Sequence, residues 1–230
     1  MNNKCLPVWT VILLVIGMLT LTSTAQAGCY DKRKPGMDWS GCKKTNKMLN
    51  RQNFTGSNFD DANISNSNLK ASNFTDASMV KTEFARASFD GADFTRTDMS
   101  KALGYRASFD DAVFLQTKMS KSEFFRASFK RTKIENVNMS RAEMGRTDFT
   151  DAELTDVNFE FTNLARAIFK GSKLVNINFK GAYTFLTRFD DVDLRAVVNI
   201  KQLHLELACG NEGTKLPVGL VKPEDWPCED

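Results

Sequence analysis

The stretch Thr82-Glu83-Phe84-Ala85-Arg86-Ala87-Ser88-Phe89-Asp90-Gly91-Ala92-Asp93-Phe94-Thr95-Arg96 sets a large apolar residue at every fifth place and a small residue two places before it. Stepping outward in fives from Leu49 to Leu194 meets a large apolar residue at 28 of 30 positions, with Gly104 and Thr184 as the exceptions. No insertion breaks this register, and 15 of the 18 Phe residues lie in it. From Ser57 to Val192 the small position is Ala, Ser, Thr or Val throughout, apart from Ile177. The other three places of each five are mostly polar, so two side chains per unit point inward and three outward.

A period of five fits neither the 3.6 of a helix nor the two-residue alternation of a strand. It suits a chain that turns a corner every five residues, and a repeat this regular decides the fold. A second period overlies the first. Arg86, Arg106, Arg126, Arg146 and Arg166 recur every 20 residues, as do Phe89, Phe109, Phe129, Phe149, Phe169 and Phe189, and also Met79, Met99, Met119 and Met139. Residues 20 apart should therefore stack, which makes four sides to a coil.

Units such as Ala92-Asp93-Phe94-Thr95-Arg96 and Ala152-Glu153-Leu154-Thr155-Asp156 resemble the A-(D/N)-L-x-x consensus of the pentapeptide-repeat family, over residues 47–196. The resemblance implies an all-β fold, a right-handed quadrilateral β-helix of about 7.5 coils, roughly 36 Å long at ~4.8 Å between stacked strands. Its narrow, filled interior leaves no room for a cofactor or a buried substrate. Such a shaft exposes strand edges and core at both ends, so caps are expected over 28–46 and 197–230. In the second, Ile200 to Leu207 reads as a short helix or final strand. Pro217 to Cys228 reads as an extended segment folded back, with Trp226 plugging the core.

Residues 1–27 differ in kind. A short polar start with Lys4 leads into an apolar run from Val8 to Leu21 and then Ala25-Gln26-Ala27. This is the layout of a secretory signal peptide cut after Ala27, and the run is too short for a permanent membrane span. A lipoprotein signal acylated at Cys29 is the competing reading, but Gln26 stands where that signal wants Leu. Export to the periplasm or outside the cell permits disulfides. Four cysteines remain after the cut, Cys29, Cys42, Cys209 and Cys228, and three pairings are possible. Two lie near each end, so the simplest is Cys29 with Cys42 and Cys209 with Cys228. Metal binding is disfavoured, because no pair has C-x-x-C spacing and His204 is the only histidine. The formal charge of +3 drops by one with Lys4, which argues neither for nucleic acid nor for its acidic mimicry.

No catalytic constellation stands out. His204 lies in a cap, where a structural role is expected. The inward Ser and Thr residues can bond the backbone. Asp60-Asp61, Asp110-Asp111 and Asp190-Asp191 fall at corners, where Asp is an ordinary turn residue. Sequons at Asn53, Asn63, Asn73 and Asn138 follow from the repeat itself. A threonine column at Thr55, Thr75, Thr95 and Thr155, as for ice binding, is interrupted by Leu115, Glu135 and Val175.

Departures from regularity gather on one side. Gly104 and Thr184 are four coils apart, so they share a side, and Leu103, Tyr105, Phe125, Tyr183 and Phe185 stand there where the pattern would place polar residues. One margin is the arginine column, Arg86 to Arg166. The other is Lys81, Lys101, Lys121 and Arg141, with Glu83, Glu123 and Glu143 between. Stacked like charges would repel, and an anionic partner would relieve that repulsion.

Two structural alternatives compete with a binding face. Each Glu could pair with the Arg three residues on as a solvated ladder, or Tyr183 and Phe185 could tuck inward through a bulge. The expected function is non-enzymatic binding or scaffolding in the cell envelope, with no cofactor, metal or nucleic acid. The partner is expected to be an acidic protein or an anionic envelope component, and a homodimer through the C-terminal cap is a further possibility. The alternative that the resemblance brings is protection of a DNA-handling enzyme such as gyrase by DNA mimicry, against which stand export and the basic charge. A polysaccharide-cleaving β-helix would need a cleft made by long loops, which a repeat without insertions does not supply.

Overall fold

The structure is a computed structural model that describes residues 28–30 and 32–228; the signal peptide expected over 1–27 lies outside the described residues. Every fifth residue turns a corner. The third residue of each turn has positive φ, and at most corners it is not glycine: Arg86 (56°), Lys101 (60°), Asp111 (61°) and Phe161 (57°) all adopt it. The N–H of the fourth residue closes the turn on the carbonyl of the first, as from Ala92 to Phe89 at 2.9 Å. Asn or Asp at the centre of a side often braces the next corner. Asn73 and Asp93 accept from the N–H of Thr75 and Thr95, at 2.8 and 2.9 Å.

Between corners the chain is extended and pairs in parallel with residues 20 further on. The links run from Asp38 to Val198 in eight steps of 20 residues, such as Asp38↔Asn58 and Asn178↔Val198. On one side the pairing is continuous enough to make a four-stranded parallel sheet in the order β1 (Val113–Leu115), β2 (Lys133–Asn138), β3 (Glu153–Asn158), β4 (Lys173–Val175).

The large inward residues fill the interior in columns. Phe89, Phe109, Phe129, Phe149 and Phe169 stack with centroids 4.8–5.1 Å apart, and each is fully buried. Neighbouring columns meet edge to face, as between Phe84 and Phe89 at 5.2 Å, a geometry that aromatic quadrupoles favour. The small position needs its size because it packs against the corner. Most of its hydroxyls donate to carbonyls, either in the coil before (Thr97 to Phe74, 2.7 Å) or in their own turn (Thr132 to Phe129, 2.6 Å); the buried Ser57 hydroxyl has no partner among the described residues.

Both interruptions of the register have a packing cause. At Gly104 the rings of Phe84 and Phe124, from the coils on either side, lean into the gap with centroids 5.9 Å apart. A β-carbon there would sit 2.5 and 2.6 Å from them. At Thr184 the hydroxyl donates to the carbonyl of His204 at 2.8 Å, and the buried Leu205 closes the core.

The ladder begins earlier than the repeat consensus does. Trp39 takes a large inward position, and Met37 and Cys42 take small ones, all buried. Much of the segment expected to cap the N-terminus therefore forms a first coil, and Cys29 is pinned across it to Cys42 with Cα atoms 5.6 Å apart.

At the other end, Cys209 and Lys215 pair with Arg188 and Asp193, offset by the insertion of one short helix, α1 (Gln202–Glu206). Cys209 and Cys228 are bonded, Cα atoms 5.5 Å apart. Trp226 is buried over Gly210 and donates its indole N–H to Ala208 at 2.7 Å.

Candidate functional site: a basic and aromatic side

The side opposite β1–β4 carries the residues singled out from the sequence. Its margins are corner residues, so the positive-φ geometry throws Lys81, Lys101, Lys121 and Arg141 outward along one edge and Arg86, Arg106, Arg126, Arg146 and Arg166 along the other. Between them the outward positions hold Leu103, Tyr105, Phe125, Tyr183 and Phe185, each 37–50% exposed. Tyr183 stays in regular register, bridged to Asn163. Neither it nor Phe185 tucks inward, because Leu205 already fills the core beneath.

The aromatic groups form two clusters. Tyr105 and Phe125 lie parallel, centroids 6.0 Å apart. The guanidinium of Arg106 sits 5.1 Å over Tyr105, and that of Arg126 sits 5.5 Å over Phe125. Nearer the C-terminal end Tyr183 and Phe185 lie parallel at 6.2 Å. Phe161, 53% exposed, belongs to the same side and leans over Gly181. It continues the column of Arg141 and escaped the sequence reading. The signal was available, since Phe125, Phe161 and Phe185 are the three Phe residues outside the five-residue register, and all three fall on this side.

Charge pairing separates this side from its opposite. There, cations find carboxylates one coil away: Arg96 with Asp76 (2.6 Å), Arg131 with Asp111 (2.7 Å) and Lys173 with Glu153 (2.6 Å). Hydrogen bonds from these partners hold the Asp76, Asp111 and Glu153 carboxyls below their ordinary pKa. On the basic side the ladder between Glu and Arg does not form among the described residues. Glu83 accepts instead from Asn63 at 2.5 Å, and Glu143 from Asn163 at 2.8 Å. Lys81 lies 3.6 Å from Asp61. The five arginines of the far margin have no carboxylate partner among the described residues.

The remaining residues with candidate chemistry are structural in this geometry. His204 is buried, and its Nδ1 accepts from the N–H of Lys201 at 2.8 Å; burial pushes its pKa below 6.5. Asp60 and Asp110 accept from Ser78 and Ser128 in the next coil. Among the described residues no group of three His, Cys, Asp or Glu is placed to hold a metal ion.

A family model of the pentapeptide repeat region matches residues 105–179, and a second, of eight pentapeptide repeats, matches 45–70 and 67–103. No curated protein sequence matches the chain. Among solved structures it is similar to a trypsin-treated form of QnrB1, a plasmid-mediated fluoroquinolone resistance protein. That likeness has a TM-score of 0.58 and 21% identity over 76% of this chain and 90% of that one. It is also similar to HetL, a pentapeptide repeat protein involved in heterocyst differentiation regulation from the cyanobacterium Nostoc sp. strain PCC 7120, with a TM-score of 0.36 and 19% identity over 84% and 89% of the two chains. At these identities the likeness concerns the fold alone. The repeat register, the four-sided parallel ladder and the two family models agree that this chain belongs to the pentapeptide-repeat family and is built as a right-handed β-helix.

Proposed function

We propose that the chain is a non-enzymatic binding or scaffold protein, exported to the cell envelope, that presents its basic and aromatic side to an anionic macromolecule. The observation that carries this reading is the arginine column: five guanidinium groups at the spacing of the coils, without carboxylate partners, two of them seated on aromatic rings. Like charges held this close raise the energy of the free state, and an anionic partner lowers it on binding. Planar guanidinium groups suit carboxylates and other oxyanions. Two disulfides, one at each end, favour an oxidising compartment.

Polyglutamate and heparin serve as probes. Arg106→Gln/Arg126→Gln/Arg146→Gln should elute from either matrix at clearly lower salt than the parent. Arg96→Gln/Arg131→Gln, on the opposite side, should elute as the parent does. Equal elution of all three proteins would defeat the reading. Protection of a DNA-handling enzyme by mimicry is the alternative, and it would call for an acidic face; here the carboxylates of the opposite side are neutralised by their neighbours.

A further inference from the structure

The two ends of the shaft are finished differently. Within the shaft, the N–H at the centre of each side reaches back to the preceding coil: Asn58 to Met37, Asn63 to Cys42, Asn68 to Lys47 and Asn73 to Gln52, all at 2.8–2.9 Å. The matching N–H groups of the first coil, on Asp38, Lys43, Met48 and Asn53, have no acceptor among the described residues. The C-terminal end is closed, because Val198, Cys209 and Lys215 already pair with the last coil and Trp226 lies over it.

The open end is also strongly basic. Between Gly28 and Asn53 seven Lys and Arg residues stand against two Asp, and none of the seven has an ion pair among the described residues. Lys32, Lys34, Lys43 and Lys47 are exposed. Lys44 points over the Trp39 and Tyr30 rings, 4.8 and 5.9 Å from their centroids. A hollow of about 780 Å³ opens there, lined among others by Cys29, Tyr30, Lys32, Arg33, Lys44 and Lys47. Tyr30 is fully exposed and Met48 is 68% exposed.

We propose that the N-terminal end of the β-helix docks on an anionic phospholipid surface. Free main-chain N–H groups and ammonium groups are the donors that phosphate oxygens take. A cluster of this size is what an anionic leaflet attracts. Tyr30 and Met48 supply the amphipathic and apolar groups that settle at a headgroup interface. The shaft then stands on its end with the arginine side turned laterally, so this site is independent of the one proposed above.

The test is co-sedimentation of the chain from Gly28 to Asp230, which holds the whole described fold, with vesicles of phosphatidylcholine and phosphatidylglycerol (3:1) or of phosphatidylcholine alone. The parent should bind the anionic vesicles only, and release them at about 1 M salt, where the screening length is roughly 3 Å. Lys32→Gln/Lys34→Gln/Lys43→Gln/Lys47→Gln should bind about 1,000-fold more weakly. The four Lys→Arg changes should keep the affinity, which separates lost charge from lost fold, and Arg106→Gln/Arg126→Gln/Arg146→Gln should bind like the parent. Equal binding to both vesicle types overturns the proposal, as does parental affinity in the Gln variant. Complete displacement by millimolar glycerol phosphate would reassign the end to a free phosphate. A salt-sensitive oligomer in sedimentation velocity, lost in the Gln variant, would reassign it to a second copy.

Discussion

The ring of Phe125 rests against Gly145 in the next coil, where a β-carbon would lie 3.0 Å from it. Arg126 in turn sits over that ring, so a residue without a side chain sets the place of an aromatic group and a cation. Gly145→Val should tilt Phe125 away and lower the salt needed to elute the protein from heparin, as Phe125→Ala should. Thermal stability of Phe125→Ala should change by less than about 1 kcal/mol, because Phe125 is an exposed position. Unchanged elution of both variants would remove Phe125 from the binding strip.

Restoring the repeat consensus at Gly104 should harm the protein. A larger residue there collides with Phe84 and Phe124, and overpacking of a filled core costs about 1–3 kcal/mol. Urea unfolding of Gly104→Leu is expected to show a lower midpoint. A midpoint at or above the parent's would mean that the two rings yield without strain.

The corner conformation can be isolated at Gly91, whose φ is +68° and which has open space around its Cα. Gly91→Ala meets no neighbour, so its cost should be that of the left-handed conformation alone, about 1 kcal/mol. Ala71, at φ 53°, offers the reverse change, and Ala71→Gly should not destabilise. Opposite signs in the two melting curves would refute this account of the corners.

His204 makes stability depend on pH at the C-terminal join. Burial depresses its pKa below 6.5, so its contribution is full above that value and is lost as pH falls through the folded pKa. The melting temperature should decline from about pH 7 to about pH 5, and His204→Asn should flatten that interval. Parallel profiles for the two proteins would place the sensitivity elsewhere.

Cys209→Ser/Cys228→Ser frees a segment of 19 residues and the Trp226 lid. Loss of a native disulfide of this kind costs about 2–5 kcal/mol, and near-ultraviolet dichroism should report the released indole. Retention of both the indole signal and the parent's melting temperature would show that packing alone holds the lid.

The coil, its period and the stacking of Arg106 on Arg126 were legible because a filled interior one ring wide tolerates no slip. Each inward position has only two kinds of occupant, and the period appears directly in the letters. The disulfide partners could be read from position along the chain, since the long shaft keeps the two ends apart. What escaped reading depends on neighbours 20 residues away. Gly104 looks like a defect until Phe84 and Phe124 are seen to share its space. Trp39, Met37 and Cys42 look like a cap because Trp and Cys are foreign to the consensus, yet they fill ordinary inward positions. On the basic side, the short-range pattern suggested pairing of Glu83 with Arg86. The carboxylate turns instead to Asn63, a partner in the preceding coil.

The corners carry Arg, Lys, Asp, Asn, Ala, Leu and Phe at nearly the same positive φ, so backbone shape there is indifferent to what the side chain is. The outer edges behave as rows of interchangeable pegs on a rigid rod, whose chemistry can be rewritten without altering the rod.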